Sequence, residues 1–585
     1  MPVKKSVVRG ALLGSLTVAF LPAMPALAQV CDGLPDFPTS SVTSTQDRDR
    51  MMCQLGLSYP ALPPRIEDPT APVNAMPRDP ANPEGNWTDP PRHTIVRTAW
   101  GLWHTYDSDA GEAGGALSGA GDYGPFSTPR YTDIDLLKMK NGAAVANPED
   151  WWIRRRPEIF NLVQQELYGK PIDPSIPVTW VESAQSTGTQ VVGGVSYPYM
   201  QKTLTGTVDI SGYPALRNTP RIIAQCRYPA GGGKKYPAII TFGGSTTQFQ
   251  YTAPYDIGIC TFNPGSVQPD SGGANLSSYI IGLANKGDWR KPDDPGALVA
   301  WGWGISRLID QLETDPDIDA DKIGLQGHSR YGKGTMVAAA YDDRIAVAFP
   351  SSGGALGNAL IRRHYGETLE FVASSTSEYH WVNGNIMKYG GRLYPDQQYP
   401  RKVELLDVDA HSTISLIAPR AVYENGGTDT PPGNGDAWQD PRGMFLSGKL
   451  ASPVWNLLGW LGQIIPEGTV FTSGPDESIG GTPPIDVAFL DGTIAWRRHH
   501  EGHTATPSWP TFAQFAARYL NDGRPVVDPG QSFVLGEGPA NVVGTATGSD
   551  PDEGDSIGAW QIKGGDGAPA FDIDPASGVI SIGDA

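Results

Sequence analysis

Residues 322–334, Lys-Ile-Gly-Leu-Gln-Gly-His-Ser-Arg-Tyr-Gly-Lys-Gly, hold the pattern that decides the fold. The apolar segment 322–326 predicts a β-strand, and 332–341 predicts a helix. Between them Ser329 lies in a sharp glycine-rich turn, the arrangement that lifts a serine hydroxyl above a sheet and points backbone N–H groups at a developing oxyanion. The spacing Gly-x-Ser-x-x-Gly is one residue longer than the usual nucleophile turn. The spacing is therefore also compatible with a turn that has only a packing role, in which Ser329 caps the helix.

Strand-like and helix-like segments alternate on both sides of this turn. Parallel strands need crossover connections, so such alternation predicts an α/β fold with a mostly parallel sheet covered by helices on both faces. Besides the two elements above, the predicted strands are 221–225, 238–242, 257–262, 345–349, 420–424 and 492–496, and the predicted helices are 149–167, 297–313 and 510–520.

The longer string around the serine, Gly-x-Ser-Arg-x-Gly-Lys-Gly, resembles the signature of the glucuronoyl esterases, carbohydrate esterase family 15. The stretches Trp-Gly-Trp-Gly-Ile-Ser-Arg-Leu-Ile-Asp at 301–310 and Leu-Ile-Ala-Pro-Arg at 416–420 are similar to that family too. The resemblance covers roughly residues 140–520. It implies a three-layer α/β-hydrolase sandwich, and hydrolysis of esters that join glucuronic acid of xylan to lignin alcohols.

Two other functions stay open at this point. An acetyl-xylan esterase or a general carboxylesterase has the same fold and catalytic groups. A catalytically dead surface adhesin that binds glycan belongs to a different class, but intact candidates for all the catalytic groups argue against it.

The general base is predicted from chain order, because α/β-hydrolases place the histidine on a loop after the last strand. Only His499, His500 and His503 follow the last predicted strand. His503 stands in a Glu-Gly-His turn before the closing helix and matches the family's catalytic histidine. The other two lie at the strand end, where we expect them to be solvated or to pack the loop.

The catalytic acid has two possible positions in the family. The first pattern ends Pro-Gln-Glu-Ser, but residues 350–353 read Pro-Ser-Ser-Gly, and serine cannot supply the charge that stabilises an imidazolium. The second pattern, Asp-x-Trp-x-Asp-Pro-Arg-Gly, is similar to residues 436–443. We therefore expect Asp436 to be the acid. The competing carboxylates are Glu424, Asp429 and Asp440.

Several further residues match family positions around the substrate. Arg330 would place a positive charge beside the oxyanion, unless it forms a structural ion pair with a nearby acid. The resemblance assigns Lys333, Glu378 and Trp438 to the sugar, with Glu370 as a weaker match. His328 departs from the family, many of whose members have a disulfide-bonded cysteine there, so the catalytic histidine must be positioned by packing and by Asp436. His411 matches the family but is expected to be structural.

The first 28 residues predict an export signal. Lys4, Lys5 and Arg9 precede a short apolar run at 11–21, and Ala-Leu-Ala at 26–28 is a cleavage pattern. We therefore expect a secreted, periplasmic or cell-surface protein without stable membrane insertion. The net charge of −19 argues against a nucleic-acid partner, because phosphate binding needs clustered Lys and Arg.

Four cysteines suit an oxidising compartment. A local bridge is predicted between Cys31 and Cys53, whereas Cys226 and Cys260, on two predicted strands that are expected to be neighbours, either pair or are buried thiols. No Cys/His cluster has zinc-like spacing, so we expect catalysis to need no metal or other cofactor.

The composition divides the chain into four parts. After the signal peptide at 1–28, an irregular Pro- and Gly-rich lead-in covers 29–140, and the α/β-hydrolase domain covers 141–524. Residues 528–585 resemble part of a cadherin-like repeat, which predicts a small all-β segment. Its carboxylates Asp550, Asp552 and Asp555 could bind Ca²⁺ weakly, since that ion prefers six to eight oxygen ligands, or could form a solvated acidic turn.

Overall fold

The computed structural model describes most of the chain from residue 134 onward, and three short segments before it. The described residues are 38–57, 94–98, 101–105, 134–231, 233–243, 245–363, 367, 369–374, 377–389, 403, 406–428, 435–436, 439–471, 483–521, 526–527, 542–546, 548–549, 571–574 and 577–582.

An eleven-stranded mixed sheet forms the centre of the molecule, in the order β12-β13-β11-β10-β9-β7-β8-β6-β5-β3, with β4 paired to β5. The six strands from β13 to β8 are parallel, and the strands outside them at both edges are antiparallel. After the separate hairpin β1 (Thr94–Thr98) and β2 (Gly101–Thr105), the sheet strands are β3 (Val178–Glu182), β4 (Ser186–Val192), β5 (Val195–Val208), β6 (Arg221–Pro229), β7 (Tyr236–Phe242), β8 (Gly258–Phe262), β9 (Ile318–His328), β10 (Ile345–Ser351), β11 (Ala421–Gly426), β12 (Ala488–Phe489) and β13 (Ile494–Arg498).

Helices cover both faces of this sheet and give three layers. Every residue of β7, β10 and β11 is buried, which is typical of strands packed on both sides. The α-helices of the described residues are α1 (Ser44–Gln54), α2 (Arg156–Val163), α3 (Phe249–Thr252), α4 (Tyr279–Ala284), α5 (Ala297–Glu313), α6 (Arg330–Tyr341), α7 (Leu369–Ser374), α8 (Ala410–Ser415), α9 (Pro441–Leu457) and α10 (Trp509–Leu520).

Neighbouring residues on one strand belong to different core layers. Ile240 packs in the large cluster with α5 and α6, whereas Ile239 packs in a second cluster with Phe249 of α3 and Phe512 of α10. This alternation follows from the two-residue period of a strand. The elements predicted from the sequence lie within four residues of those observed at each end, if the predicted helix 149–167 is compared with α2 and the π-helical turns Asp150–Arg155 and Gln164–Tyr168 that flank it. The antiparallel extension β3–β5 was not predicted.

The N-terminal lead-in is not irregular throughout, and that expectation is wrong for residues 44–54. These residues form α1, which begins with a capping box between Thr43 and Gln46 and buries Met51 and Met52 against the main core. The helix is therefore part of the packed domain and not a mere approach to it.

A disulfide joins Cys226 and Cys260, which lie directly opposite each other on β6 and β8. This pairing decides between the two alternatives left open for these cysteines. The bridge expected between Cys31 and Cys53 stays a prediction, because Cys31 lies outside the described residues.

The described parts of the C-terminal segment contain short strands. β14 (Val526–Val527) pairs with β16 (Gly548–Ser549), and β15 (Val542–Thr545) and β17 (Phe571–Ile573) flank β18 (Val579–Ile582). The cadherin-like identity of this segment stays a prediction. The candidate calcium ligands Asp550, Asp552 and Asp555 lie outside the described residues.

Candidate active site

Ser329 lies in a strained turn between β9 and α6. Its backbone has φ 60° and ψ −128°, a left-handed conformation that a residue with a side chain rarely adopts. Ser329 N–H donates to the Ser351 carbonyl at 2.9 Å, and the Ser329 side chain makes no capping hydrogen bond to the helix. The geometry is therefore that of a nucleophile turn and not of a helix cap.

Two glycines allow this turn to be tight. A Cβ atom at Gly327 would lie 2.1 Å from the Tyr331 carbonyl oxygen, and one at Gly332 would lie 2.5 Å from the Ser351 carbonyl oxygen. Both contacts are with backbone atoms, so a larger residue would force strand and helix apart. The glycine spacing noted in the sequence is thus a requirement of the turn itself.

His503 and Asp436 form a hydrogen-bonded pair, although 67 residues separate them. His503 Nδ1 lies 2.7 Å from Asp436 Oδ1, and the Asp436 side chain is fully buried. Asp436 Oδ2 accepts from the Ser352 hydroxyl at 2.7 Å and from the Gly427 N–H at 2.5 Å. Burial alone would raise the pKa of Asp436, but the hydrogen bond and charge of His503 and the Gly427 N–H lower it below its usual value. Asp436 is therefore an ionised acceptor that fixes the imidazole.

The other candidate acids and bases lie in different surroundings. Asp440 caps α9 by accepting from the Gly443 N–H, and Glu424 accepts from the Asn358 amide. His499 is fully buried, and exposed His500 lies 2.6 Å from Asp486. Asp429 is outside the described residues. His411 is buried, with Nε2 3.0 Å from the Ile134 carbonyl.

Ser352 stands in the stretch where the family's alternative glutamate is missing. Its hydroxyl donates to Asp436, the acid in the other loop. Ser352, at the family's first acid position, thus supports Asp436, the acid at the second position. No sequence signal indicated this contact.

His328 packs against the predicted base. The two imidazole centroids are 4.3 Å apart, and His328 Nδ1 lies 3.0 Å from the Ser351 hydroxyl. Burial, together with the charge of His503, lowers the pKa of His328 to about 3. A neutral ring therefore occupies the position of the family's cysteine and contacts His503.

Arg330 forms an ion pair with Asp270, a residue that the sequence did not single out. The Arg330 Nη1 to Asp270 Oδ2 distance is 2.6 Å, and the guanidinium also lies 5.4 Å from the centre of the Trp381 ring. The Arg330 side chain stays 46% exposed, so one side of the cation faces solvent.

Lys333 is buried and already has three acceptors. Its ammonium donates to the carbonyls of Gly353 and Ala355 at 2.7 Å each and to Glu367 at 2.5 Å. Three N–H groups are all that a lysine has, so substrate contact would require one of these bonds to break. No sequence pattern indicated Glu367 as its partner.

Glu378 presents an atom without a partner. Its Oε2 is buried and has no hydrogen-bond partner among the residues that the structure describes. Burial first, and then the charge of Glu367, raise the pKa of Glu378 to about 8. The side chain of Glu370 and all of Trp438 lie outside the described part, so their predicted contacts with substrate stay predictions.

Within the described ranges, no group of three or more His, Cys, Asp or Glu residues is arranged to hold a metal ion. The same ranges contain no helix long and apolar enough to cross a membrane.

A family model described as glucuronyl esterase, fungi, matches residues 216–459. A carbohydrate esterase from an unknown prokaryotic organism is 26% identical over 69% of this chain and 93% of its own length. The 4-O-methyl-glucuronoyl methylesterase of Hypocrea jecorina is 29% identical over 56% of this chain, which spans 62% of that relative.

Solved structures agree with this likeness. A glucuronoyl esterase of carbohydrate esterase family 15 from Teredinibacter turnerae superposes with a TM-score of 0.60 at 28% identity, covering 81% of this chain and 99% of that one. The glucuronoyl esterase from Solibacter usitatus gives a TM-score of 0.53 at 28% identity, over 66% and 97% of the two chains. The expected α/β-hydrolase fold is thereby confirmed.

Proposed function

We propose that this chain, which carries a glucuronoyl esterase domain of carbohydrate esterase family 15, is a serine esterase that hydrolyses esters of 4-O-methyl-glucuronic acid. The observation that carries the proposal is the buried Asp436–His503 pair, found together with a strained serine turn in a chain of this family. Fold alone would not suffice, because one fold hosts many activities.

The proposed reaction is a two-step acyl transfer. Because ionised Asp436 accepts the Nδ1–H of His503, Nε2 is left to take the proton of Ser329. The Ser329 oxygen attacks the uronoyl carbonyl, and the tetrahedral intermediate collapses when His503 protonates the departing alcohol oxygen. Water, deprotonated by the same histidine, then attacks the acyl-enzyme and releases the uronic acid and Ser329.

The negative charge of both intermediates develops on the former carbonyl oxygen. Backbone N–H groups at the start of α6 and the Arg330 guanidinium are proposed to stabilise it. One well-placed donor of this kind contributes about 3 kcal/mol to transition-state stabilisation. All of these steps use side chains, backbone groups and water.

The sugar is proposed to lie against Glu378, Lys333, Trp438 and Glu370. A protonated Glu378 could donate a hydrogen bond to a sugar oxygen, since its Oε2 is otherwise unpartnered within the described structure. Lys333 is proposed to act on the sugar mainly indirectly, by holding Glu367 and the two backbone carbonyls that accept its hydrogen bonds. The natural substrate is proposed to be the ester between glucuronoxylan and lignin alcohols, acted on outside the cell after export.

Ca²⁺ binding by Asp550, Asp552 and Asp555 is proposed only for the C-terminal segment, at low affinity. It is independent of the esterase chemistry. EDTA should therefore leave hydrolysis unchanged, whereas an activity lost in EDTA and restored by Ca²⁺ would contradict the proposed mechanism.

The test compares two substrates on the purified protein. Benzyl glucuronate should be hydrolysed with a higher kcat/KM than p-nitrophenyl acetate, and Glu378→Ala, which removes the proposed donor, should lower the rate on the glucuronate far more than on the acetate. A preference for the acetate would favour the general carboxylesterase. No turnover of either ester would favour the non-catalytic alternative.

A further inference from the structure

Asp270 joins the Arg330 guanidinium to a neighbouring segment of the site. One carboxylate oxygen, Oδ2, accepts from Arg330 Nη1 at 2.6 Å. The other oxygen, Oδ1, lies 2.9 Å from His380 Nε2 and 2.6 Å from Trp381 Nε1. A carboxylate can only accept, so the histidine nitrogen is the donor in this pair. Asp270 therefore holds three donors that come from two separate parts of the chain.

The contacts around Asp270 differ from those of an ordinary surface ion pair. Its side chain is 23% exposed, and His380 and Trp381 are both buried. Burial would raise the pKa of Asp270, but the hydrogen bonds from His380, Arg330 and Trp381 lower it well below its usual value. The carboxylate is thus charged at any pH at which an esterase of this kind works. Exposed ion pairs contribute little to stability, because two long side chains must be ordered, whereas the carboxylate of this pair is also held by two buried rings.

The segment that carries these two rings is itself anchored. Tyr379 donates a hydrogen bond to the buried Asp47 of α1 and accepts one from the Gly273 N–H at 2.9 Å. The N-terminal helix therefore supports the loop that holds Asp270. Asp270 cannot move without disturbing buried groups on both sides.

Arg330 needs such support because it is long and half-exposed. A free arginine side chain has many rotamers, and it loses this conformational entropy when it becomes ordered. Asp270 uses only part of the five N–H donors of the guanidinium, so others remain for an oxygen above Ser329. Fixing the cation before the substrate arrives removes this ordering cost from the transition state.

We propose that Asp270 is the positioning residue for Arg330: it holds the guanidinium at the place where the oxyanion forms, and does not itself touch the substrate. The proposal rests on the proposed function in that Arg330 must stabilise the oxyanion of an ester. It requires no particular acyl group, because every ester forms the same oxyanion.

The test is a double-mutant cycle with Asp270→Asn, Arg330→Ala and the double variant. Asn keeps the shape of the side chain but loses the charge. Asp270→Asn should lower kcat about 10- to 100-fold, since it loosens one oxyanion donor, and should change KM by less than about threefold. The double variant should be no slower than Arg330→Ala within about threefold, because Asp270 acts only through Arg330.

Two outcomes would overturn the proposal: an Asp270→Asn enzyme that keeps more than half of its kcat, or losses that multiply in the double variant. Asp310→Asn, which removes a carboxylate paired with Arg344 and Arg307 far from Ser329, is the matched control and should leave kcat unchanged. If Asp270→Asn does not fold, Trp381→Phe removes only one donor to Asp270 and should lower kcat in the same direction, while an unchanged kcat would contradict the proposal.

Each variant is measured on both benzyl glucuronate and p-nitrophenyl acetate. A wild-type enzyme active on the acetate alone would refute the proposed substrate, and the cycle on the acetate would still decide the role of Asp270. A wild-type enzyme active on the glucuronate with an unaffected Asp270→Asn variant would refute only this inference.

Discussion

Two carboxylates of the candidate site, Asp436 and Asp270, hold their partners differently. Asp436 is fully buried and fixes a histidine, whereas Asp270 is partly exposed and fixes an arginine. Hydrogen bonds lower the pKa of both carboxyls against the effect of burial. Asp436 bonds to residues that follow β10, β11 and β13, while Asp270 connects to a loop supported by the N-terminal helix.

The difference follows from what each partner does in the reaction. His503 changes its charge during each step, so its acid must stay ionised and unhydrated to stabilise the imidazolium. Arg330 keeps its charge throughout, so its acid only has to fix a position. Removing the charge of Asp436 should therefore be far more costly than removing that of Asp270.

Ser329→Ala removes the group that both carboxylates serve and should have the largest effect. We expect kcat to fall by about five to six orders of magnitude, the range seen when a catalytic serine is lost. Thermal unfolding and circular dichroism should match the wild type, because only a hydroxyl is removed. Substantial turnover by folded Ser329→Ala protein that contains no wild-type enzyme would contradict the assignment of Ser329 as the nucleophile.

Asp436→Asn sharpens the comparison directly. Asn presents an N–H or a weaker acceptor to His503 and favours the wrong imidazole tautomer, so kcat should fall by about 10³–10⁴-fold. The loss should exceed that of Asp270→Asn by at least about tenfold. Steady-state kinetics on benzyl glucuronate measures both; a mild Asp436→Asn together with a severe Asp429→Asn or Asp440→Asn would place the acid elsewhere in this loop.

His328 tests whether the histidine side of the site depends on packing as well as on Asp436. His328→Ala removes the ring that contacts His503, and loss of such packing should lower kcat about 3- to 10-fold. His328→Phe keeps an aromatic ring and should recover most of the activity. Because the lowered pKa of about 3 keeps His328 neutral, the pH–rate profile of His328→Phe should keep its wild-type shape. A profile shifted by a whole pH unit would mean that His328 takes part in proton transfer.

Glu378→Gln should give the smallest effect, and this effect is measured on the stability of the protein. Its pKa of about 8 in the folded protein lies above the unfolded value of 4.5, so the folded state binds more protons between these two values. The contribution of Glu378 to stability must then decrease as the pH rises from about 4.5 to 8. Gln does not titrate, so Glu378→Gln removes this dependence on pH. The melting temperature of the variant, measured relative to that of the wild type, should therefore increase as the pH rises from about 4.5 to 8.

Glu313→Gln, at an exposed position on α5 paired with Arg344, serves as the control for this measurement. Its melting-temperature difference should stay flat over the same pH range. A flat difference for Glu378→Gln as well would show that this carboxyl is ionised in the folded protein, and that its unpartnered oxygen cannot donate to a sugar.

Much of the fold was predictable because its elements are local. A run such as 238–242 reads as a buried strand from its own side chains, and the structure has β7 at Tyr236–Phe242. The extension β3–β5 escaped prediction because its strands are partly exposed and polar on one side. Helix α1 escaped prediction because it is short and is stabilised mainly by burying Met51 and Met52 against distant parts of the chain.

The candidate active site likewise has features that the local sequence predicts and features that depend on distant parts of the chain. The serine turn is built from about ten consecutive residues whose glycines, spacing and flanking elements all appear in the sequence. The sequence by itself therefore determined the fold class, the family resemblance and the candidates Ser329, His503, Asp436 and Arg330. Ser329, Asp436 and His503 follow β9, β11 and β13, which are parallel strands and therefore end at one edge of the sheet.

Only the tertiary structure decided which partners these residues have. Asp270 is 60 residues from Arg330 and 110 from His380, and Glu367 is 34 residues from Lys333. In the sequence each is one carboxylate among 63, with no motif around it. A hydrogen bond depends on the position of two atoms to within a few tenths of an ångström, and the packing of the whole domain sets that position.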